Sequence, residues 1–230
     1  MNNKYAFQVV NKVYTNAGNA RLIDLLSMSR NLLDIGCGAG DNAILIKKKS
    51  PHSQIQGVTF SGAEAEIAQK HMIKCWVFDI EQPIPIELKK QQFDCLVFSH
   101  VLEHLRNPDL VLASFSKLLK PDGHILIAVP NILSWRMRLQ FLMGKFEYQL
   151  TGELDETHLR FFTYFTADKY LLSKCSDLHV VCKSVSGSFP LWWLRRHLFS
   201  QNVSQRIDQW ACQHWPNLFG NQVLIKAVKR

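Results

Sequence analysis

The sequence predicts an α/β domain: a mostly parallel sheet with helices on both faces. Three observations carry that expectation. Short apolar runs alternate with helix-like segments from residue 31 to residue 130. The run Phe93-Asp94-Cys95-Leu96-Val97-Phe98 is dense in apolar side chains, as a strand buried on both faces must be. The run Leu32-Leu33-Asp34-Ile35 leads straight into the glycine turn Gly36-Cys37-Gly38-Ala39-Gly40 and a following helix. Strands joined by helices need right-handed crossovers, and such sheets bind ligands at the carboxyl ends of their strands.

The elements follow in order. Residues 1–30 read as helical, with Val9, Val13 and Ala17, then Leu22, Leu25 and Leu26, at helical spacing and a break near Gly18. The strand at 32–35 feeds a helix over 41–49, whose Lys47-Lys48-Lys49 favour its C-terminal end and which Pro51 stops. Strands follow at 54–58, at 75–78 before Asp79, at 93–98 and at 125–129, with helices over 61–72 and 107–120. Pro121-Asp122-Gly123 closes the second of these helices, and Pro130 stops the fifth strand. A helix over 166–176 and strands at 179–185 and 222–228 bring the count to seven strands. Two excursions, 131–165 and 187–220, break the rhythm where loops over the strand ends lie, so they are expected to form a lid over the substrate. The reading is one domain, 1–230, with a ligand-binding core at 31–130.

Composition narrows the class. At 230 residues with 47% hydrophobic and 20% charged side chains, the chain has ample material for a core, which excludes disordered and fibrous classes. No uncharged apolar run reaches ten residues, and Met1-Asn2-Asn3-Lys4-Tyr5 lacks the build of a signal peptide, so a cytoplasmic protein is expected. The six cysteines are scattered without a C-x-x-C, which fits buried reduced thiols. The net charge of +8 is regional: residues 1–130 carry 14 basic against 12 acidic side chains, and residues 131–230 carry 13 against 7. Five of the six tryptophans also lie in the second part.

The glycine turn is the strongest chemical signal. Residues without Cβ let a ligand approach the backbone and can take positive φ. The pattern here is G-x-G-x-G, with Asp34 just before it, and an acidic strand end suits a cationic or hydroxyl-rich ligand better than a phosphate. Asp79 ends the third strand, Phe98-Ser99-His100-Val101-Leu102-Glu103-His104 follows the fourth, and Leu118-Leu119-Lys120-Pro121-Asp122-Gly123-His124 leads to the fifth. With these motifs in this order, residues 31–130 resemble the class I S-adenosylmethionine-dependent methyltransferases. The resemblance implies a Rossmann-like seven-stranded fold and S-adenosyl-L-methionine as cofactor. It implies cofactor contacts at Asp34, Gly36, Cys37, Gly38, Gly40, Thr59, Phe60, Asp79, Ile80 and His100. The three glycines then pack against the methionine part, Asp79 accepts from the adenine amino group, and His100 lies near the methionine end.

One position departs from the family pattern. An acidic residue usually ends the second strand and takes both ribose hydroxyls, whereas Thr59 stands there in Gly57-Val58-Thr59-Phe60-Ser61. Some relatives, such as the cyclopropane-forming enzymes on fatty acyl chains, show a similar Val-Thr-x-Ser. Glu64 is open to two readings, as a helper at the ribose or as part of a capping box with Ser61.

Beyond residue 130, Pro130-Asn131, Gly144-Lys145-Phe146-Glu147-Tyr148, the stretch from Gly152 through His158 to Thr163, and Pro216-Asn217-Leu218-Phe219 are similar to a bacterial branch. That branch is related to the ubiquinone O-methyltransferases and the methionine-biosynthesis methyltransferase-like proteins. The similarity implies O-methylation of a small-molecule or glycan-like acceptor. A hydroxyl acceptor must lose a proton, for which a neutral His is suited. His158 is the first candidate base and His100 a second, with Tyr148 and Arg160 as substrate contacts and the acceptor pocket bounded by His100, Tyr148 and His158. In a competing reading Asp155, Glu156 and Arg160 only pin that loop.

His100-x-x-Glu103-His104, if helical, shares one face and with His158 offers a divalent-metal site, resembling the Glu-x-x-Glu-His of small-RNA 2′-O-methyltransferases. The alternative is that His100 touches the cofactor while Glu103 and His104 brace the loop. An RNA methyltransferase with such a site, and a non-catalytic cofactor-binding partner protein, are the rival functions, although the basic surplus forms no clear stripe for nucleic acid. Trp192-Trp193 beside Arg195-Arg196, within 187–220, reads as a lid or as a peripheral contact with the inner membrane face and a lipid-linked or anionic acceptor.

Overall fold

The computed structural model describes residues 17–230, so the helical expectation for residues 1–16 lies outside the described residues, as do the side chains of Trp192, Trp193 and Arg196. Seven strands form one sheet: β1 (Asn31–Ile35), β2 (Gln54–Thr59), β3 (Lys74–Val77), β4 (Phe93–Ser99), β5 (Leu119–Pro130), β6 (Leu178–Gly187) and β7 (Gly220–Lys229). Their order is β3-β2-β1-β4-β5-β7-β6. The first five pair in parallel, and β7 runs antiparallel between β5 and β6.

Alternation along the central strands divides the core. Leu33, Ile35, Leu96, Phe98, Ile125 and Ile127 point to one face, where they meet Leu112 and Phe115 of the helix Pro108–Ser116. Leu32, Cys95, Val97, Leu126 and Ala128 point to the other, against Ala43 and Ile46 of the helix Asp41–Lys49 and Ala65 and Ala68 of the helix Gly62–Ala68. Helices therefore cover both faces, as a sheet of parallel strands requires.

Three local expectations differ from the structure. The helix read over 61–72 stops at Ala68 because the chain must turn to bring Ile73 N–H onto Ile55 O, ahead of β3. The helix read over 107–120 ends at Ser116, and Pro121-Asp122-Gly123 lies inside β5. There the register with β4 slips between Phe93 and Cys95, and Asp122 takes φ +60°, so the turn signal marks a bulge. The second excursion is mostly helical, with Trp192–Leu198, Gln201–His214 and Pro216–Phe219. It packs Ala211, Cys212 and Phe219 with Trp135 and Phe189 into a small core of its own.

The two excursions are tied together at their roots. Asn131 is fully buried, and its amide donates to Asn217 O (3.1 Å) and Gly220 O (2.8 Å) while its oxygen accepts from Leu133 N–H. The Asn217 side chain accepts from Tyr164 N–H at 3.0 Å. Asn131→Ala leaves two buried carbonyls without their donor and should cost about 2 kcal/mol or more in denaturant unfolding. Asn131→Asp, which cannot donate, should not restore it; equal stability of either variant and the wild type would contradict this role.

Candidate active site

The glycine turn is held from below. Gly36 and Cys37 N–H both donate to Val58 O at 2.9 Å, which folds the exit of β1 over the end of β2. Gly36 takes φ +73°, and a Cβ there would lie 2.6 Å from Val101 Cγ2, so only glycine lets the turn sit against the segment leaving β4. Cys37 is buried with its sulfur 3.7 Å from Cys75 Sγ.

Asp34, the last polar residue before the turn, is fully buried, and among the described residues neither carboxylate oxygen has a hydrogen-bond partner. Burial pushes its pKa up to about 7, with the Asp41 charge adding and the Asn42 amide opposing. An unsatisfied carboxylate at a ligand turn is a place prepared for a cationic or donor-bearing ligand. At the end of β2, Thr59 is buried and its hydroxyl donates to Glu64 Oε2 at 2.6 Å, while Ser61 Oγ caps the next helix by accepting from Glu64 N–H. Both readings of Glu64 thus have a physical basis: its backbone belongs to the cap, and its carboxylate stands at the strand end where Thr59 alone offers one hydroxyl. Phe60 beside it is exposed. Asp79 shapes its own turn by accepting from Glu81 N–H, and with Ile80 it lines a cleft of about 940 Å³ that continues to Arg106, Asn107 and Leu110.

His100 leaves β4 with φ +54°, a conformation rare for a non-glycine residue and frequent at functional sites. Its Nδ1 lies 3.2 Å from Glu103 Oε1 and its Nε2 2.8 Å from Gln222 Oε1, which also accepts from Asn19 Nδ2. Each ring nitrogen thus faces a side-chain oxygen. Burial opposes the charge, but the hydrogen bond and charge of Glu103, joined by Gln222, outweigh it and raise the pKa. His100 is thus tied to Glu103 and Gln222 through both ring nitrogens. The helical face expected for His100, Glu103 and His104 is also altered, because only Leu102–His104 form a short 3₁₀ turn and His100 stands outside it.

Glu103, His104 and His158 do converge, each offering a ligand atom within 4.8 Å of the others. The loop that brings His158 is fastened to the 3₁₀ turn: Leu159 and Arg160 N–H both donate to Glu103 O, and the Arg160 guanidinium donates to Arg106 O. Arg160 is therefore occupied in bracing the loop. Tyr148 is exposed and meets Phe146 edge-on at 5.8 Å, next to Gln149, whose backbone bonds Leu154 and Glu156 in the same loop. Glu103 Oε2 is buried without a partner among the described residues. Burial, joined by the His158 charge, lowers the His104 pKa against the pull of Glu103. Gln222 and Asn19 reach His100 from remote parts of the chain, and no local motif announces them; Thr157 adjoins His158 in the motif stretch but carried no expectation of its own.

The match to known proteins now has a structural frame. Residues 12–173 match the family model described as a methyltransferase domain. The chain belongs to that family. It is a class I, S-adenosylmethionine-dependent methyltransferase with a Rossmann-like fold. The ubiquinone biosynthesis O-methyltransferase of Pasteurella multocida is 27% identical over 173 residues, covering 69% of this chain and 68% of that one. The enzyme of the same name from Haemophilus ducreyi is 28% identical over 167 residues, with the same shares. Among solved structures, an S-adenosylmethionine-dependent methyltransferase from Archaeoglobus fulgidus superposes with a TM-score of 0.59 at 21% identity, covering 98% of this chain and 100% of its own. A possible histamine N-methyltransferase from Thermotoga maritima gives 0.60 at 18%, covering 92% and 87%.

In the methyltransferase without cofactor, the high pKa of Asp34 means that the folded state prefers the protonated form. Stability from this group is full below the unfolded pKa of 3.8 and is lost as pH rises through about 7. Asp34→Asn should therefore raise the melting temperature of the cofactor-free protein at pH 8 while weakening cofactor affinity at least tenfold by calorimetry. A variant that binds cofactor as tightly as the wild type would refute the ligand role of this carboxylate.

Proposed function

We propose that this methyltransferase moves the methyl group of S-adenosyl-L-methionine to a hydroxyl oxygen of a small-molecule or glycan-like acceptor. The observation that carries the reading is the convergence of Glu103 with His104 and His158, two residues past the Val101 that abuts the glycine turn. Methyl transfer from a sulfonium is an in-line displacement, so alignment supplies much of the rate, and a hydroxyl acceptor also needs a site for its proton. His158 Nδ1 lies 3.1 Å from Glu153 O, an acceptor only, so that nitrogen bears the proton and Nε2 carries the lone pair. The relatives named as ubiquinone biosynthesis O-methyltransferases support oxygen as the methylated atom. The cofactor is held by Asp34 and the turn Gly36, Cys37, Gly38 and Gly40, by Asp79 and Ile80 at the adenine, and by Thr59 with Glu64 at the ribose. Glu64 is assigned beside Thr59 because its carboxylate accepts from the Thr59 hydroxyl at the end of β2.

A divalent cation fits the same residues, because the cluster holds a buried carboxylate oxygen without a partner among the described residues beside two imidazoles. Glu103, His104 and His158 are the residues to hold it, and it would supply a Lewis acid that lowers the pKa of the acceptor hydroxyl.

The basic surplus gives less support to RNA as acceptor than its size suggests. Arg195 is buried against Asp208 at 2.8 Å, Lys226 donates to Leu25 O and Ser27 Oγ, and Lys229 to Ser116 O and Leu119 O. These cations hold the fold. The two excursions leave Leu142, Phe146, Tyr148, Leu150, Phe199 and Trp210 exposed, which supports an acceptor with an apolar part and a peripheral membrane contact. No helix among the described residues is long and apolar enough to cross a membrane.

Two measurements check this reading. Glu64→Gln should weaken cofactor binding about tenfold, with Thr59→Val milder; unchanged affinity in the first removes Glu64 from the ribose. In a screen of hydroxylated acceptors by cofactor turnover, transfer should fall at least tenfold in excess chelator and return with added divalent metal. Full activity under chelation dismisses the cation and leaves the histidine pair as the proton site.

A further inference from the structure

We infer that Thr157, backed by Asp155, is a positioning residue that fixes which nitrogen of His104 faces the acceptor site. The inference rests on the assignment of the histidine pair in the proposed function, and it holds whether the free nitrogen takes a proton or a cation. It follows from counting protons. Asp155 presents a carboxylate oxygen, an acceptor, to both the hydroxyl and the backbone N–H of Thr157. The Thr157 hydroxyl has one proton and gives it to Asp155 Oδ1 at 2.6 Å, and its backbone N–H goes to the same oxygen at 2.8 Å. The hydroxyl oxygen is left as an acceptor, and it faces His104 Nδ1 at 2.9 Å. The Thr157 carbonyl, also only an acceptor, lies 3.4 Å from the same nitrogen. His104 Nδ1 must therefore bear the proton, and in the neutral ring Nε2 is left with the lone pair.

His158 reaches the same tautomer by a different route, through the Glu153 carbonyl at 3.1 Å. The two rings meet edge to face with centroids 4.7 Å apart. The loop that carries Glu153, Asp155 and Thr157 thus sets both rings in one arrangement, and the relay reaches His104 from the neighbouring segment of chain. Tautomer control of a reactive imidazole by an acceptor on its other nitrogen is a general device, and its loss typically costs 10–100-fold in metal affinity or activity.

The test is nitrogen NMR of the histidine rings in the full chain, comparing wild type, Thr157→Val and Thr157→Ser at a pH where His104 is neutral. The wild type should show His104 and His158 both protonated at Nδ1. Thr157→Val should shift the His104 tautomer ratio about tenfold toward Nε2–H, leave His158 unchanged as the internal control for an intact loop, and be rescued by Thr157→Ser. Zinc(II) titration should weaken 10–100-fold in Thr157→Val if the pair binds metal. A wild-type His104 protonated at Nε2, or a tautomer indifferent to Thr157→Val, overturns the relay. If Thr157→Val also alters His158, Asp155→Ala, which removes the acceptor for the Thr157 hydroxyl, decides: an unchanged His104 tautomer there overturns the relay. Correct tautomers with neither metal binding nor methyl transfer would overturn the functional reading alone.

Discussion

The parallel register of β1 with β4 is the constraint on which the site depends. Asp34 pairs with Val97 and Ile35 with Phe98, so the two strands end at one level and release the glycine turn and the His100 segment side by side. Backbone hydrogen bonding fixes that level, and the two-faced core locks it, since a one-residue slip would exchange the inward sets of both strands. The contact between Gly36 and Val101 follows from it. The turn then bonds to β2 through Val58 O, which places Thr59 and Glu64 at the same rim. Three strand ends thus deliver a buried carboxylate, an open backbone and a second acidic group to one small volume.

Around that volume the chain accepts local cost for chemistry. A carboxylate without a partner, a histidine with left-handed backbone and a buried glutamate oxygen left open are each unfavourable alone. Their concentration at the strand ends sets them apart from the apolar core beneath, and ligand binding is what would relieve them. The first excursion contributes the other half. Its loop is bonded to the 3₁₀ turn by backbone N–H groups and by Arg160, so His158 is held by main chain and little depends on surface ion pairs.

What was legible in the sequence was what local chemistry encodes. The alternating runs, the glycine turn and the His-Glu-His motif declare themselves within a few residues, and the seven strands with helices on both faces follow from them. Pro121-Asp122-Gly123 shows the limit: the same residues that end a helix also build a bulge, and only the neighbouring strand decides. The helices of the second excursion carry no clear signal of their own because their apolar positions face a satellite core that includes Trp135, distant in the chain. Arg160 invited a substrate role by its charge, while its actual partner is a backbone carbonyl that no sequence pattern marks. The same holds for Gln222 and Asn19, which reach His100 across 122 and, through Gln222, a further 203 positions of separation.

The most direct measurement is a crystal structure with S-adenosylhomocysteine bound. Adenine should lie beside Asp79 and Ile80, the amino acid part over Gly36 and Gly38 with its ammonium toward Asp34, and the sulfur facing the space before His104 and His158. A cofactor bound with its sulfur directed away from that pair, or outside the glycine turn altogether, would contradict it.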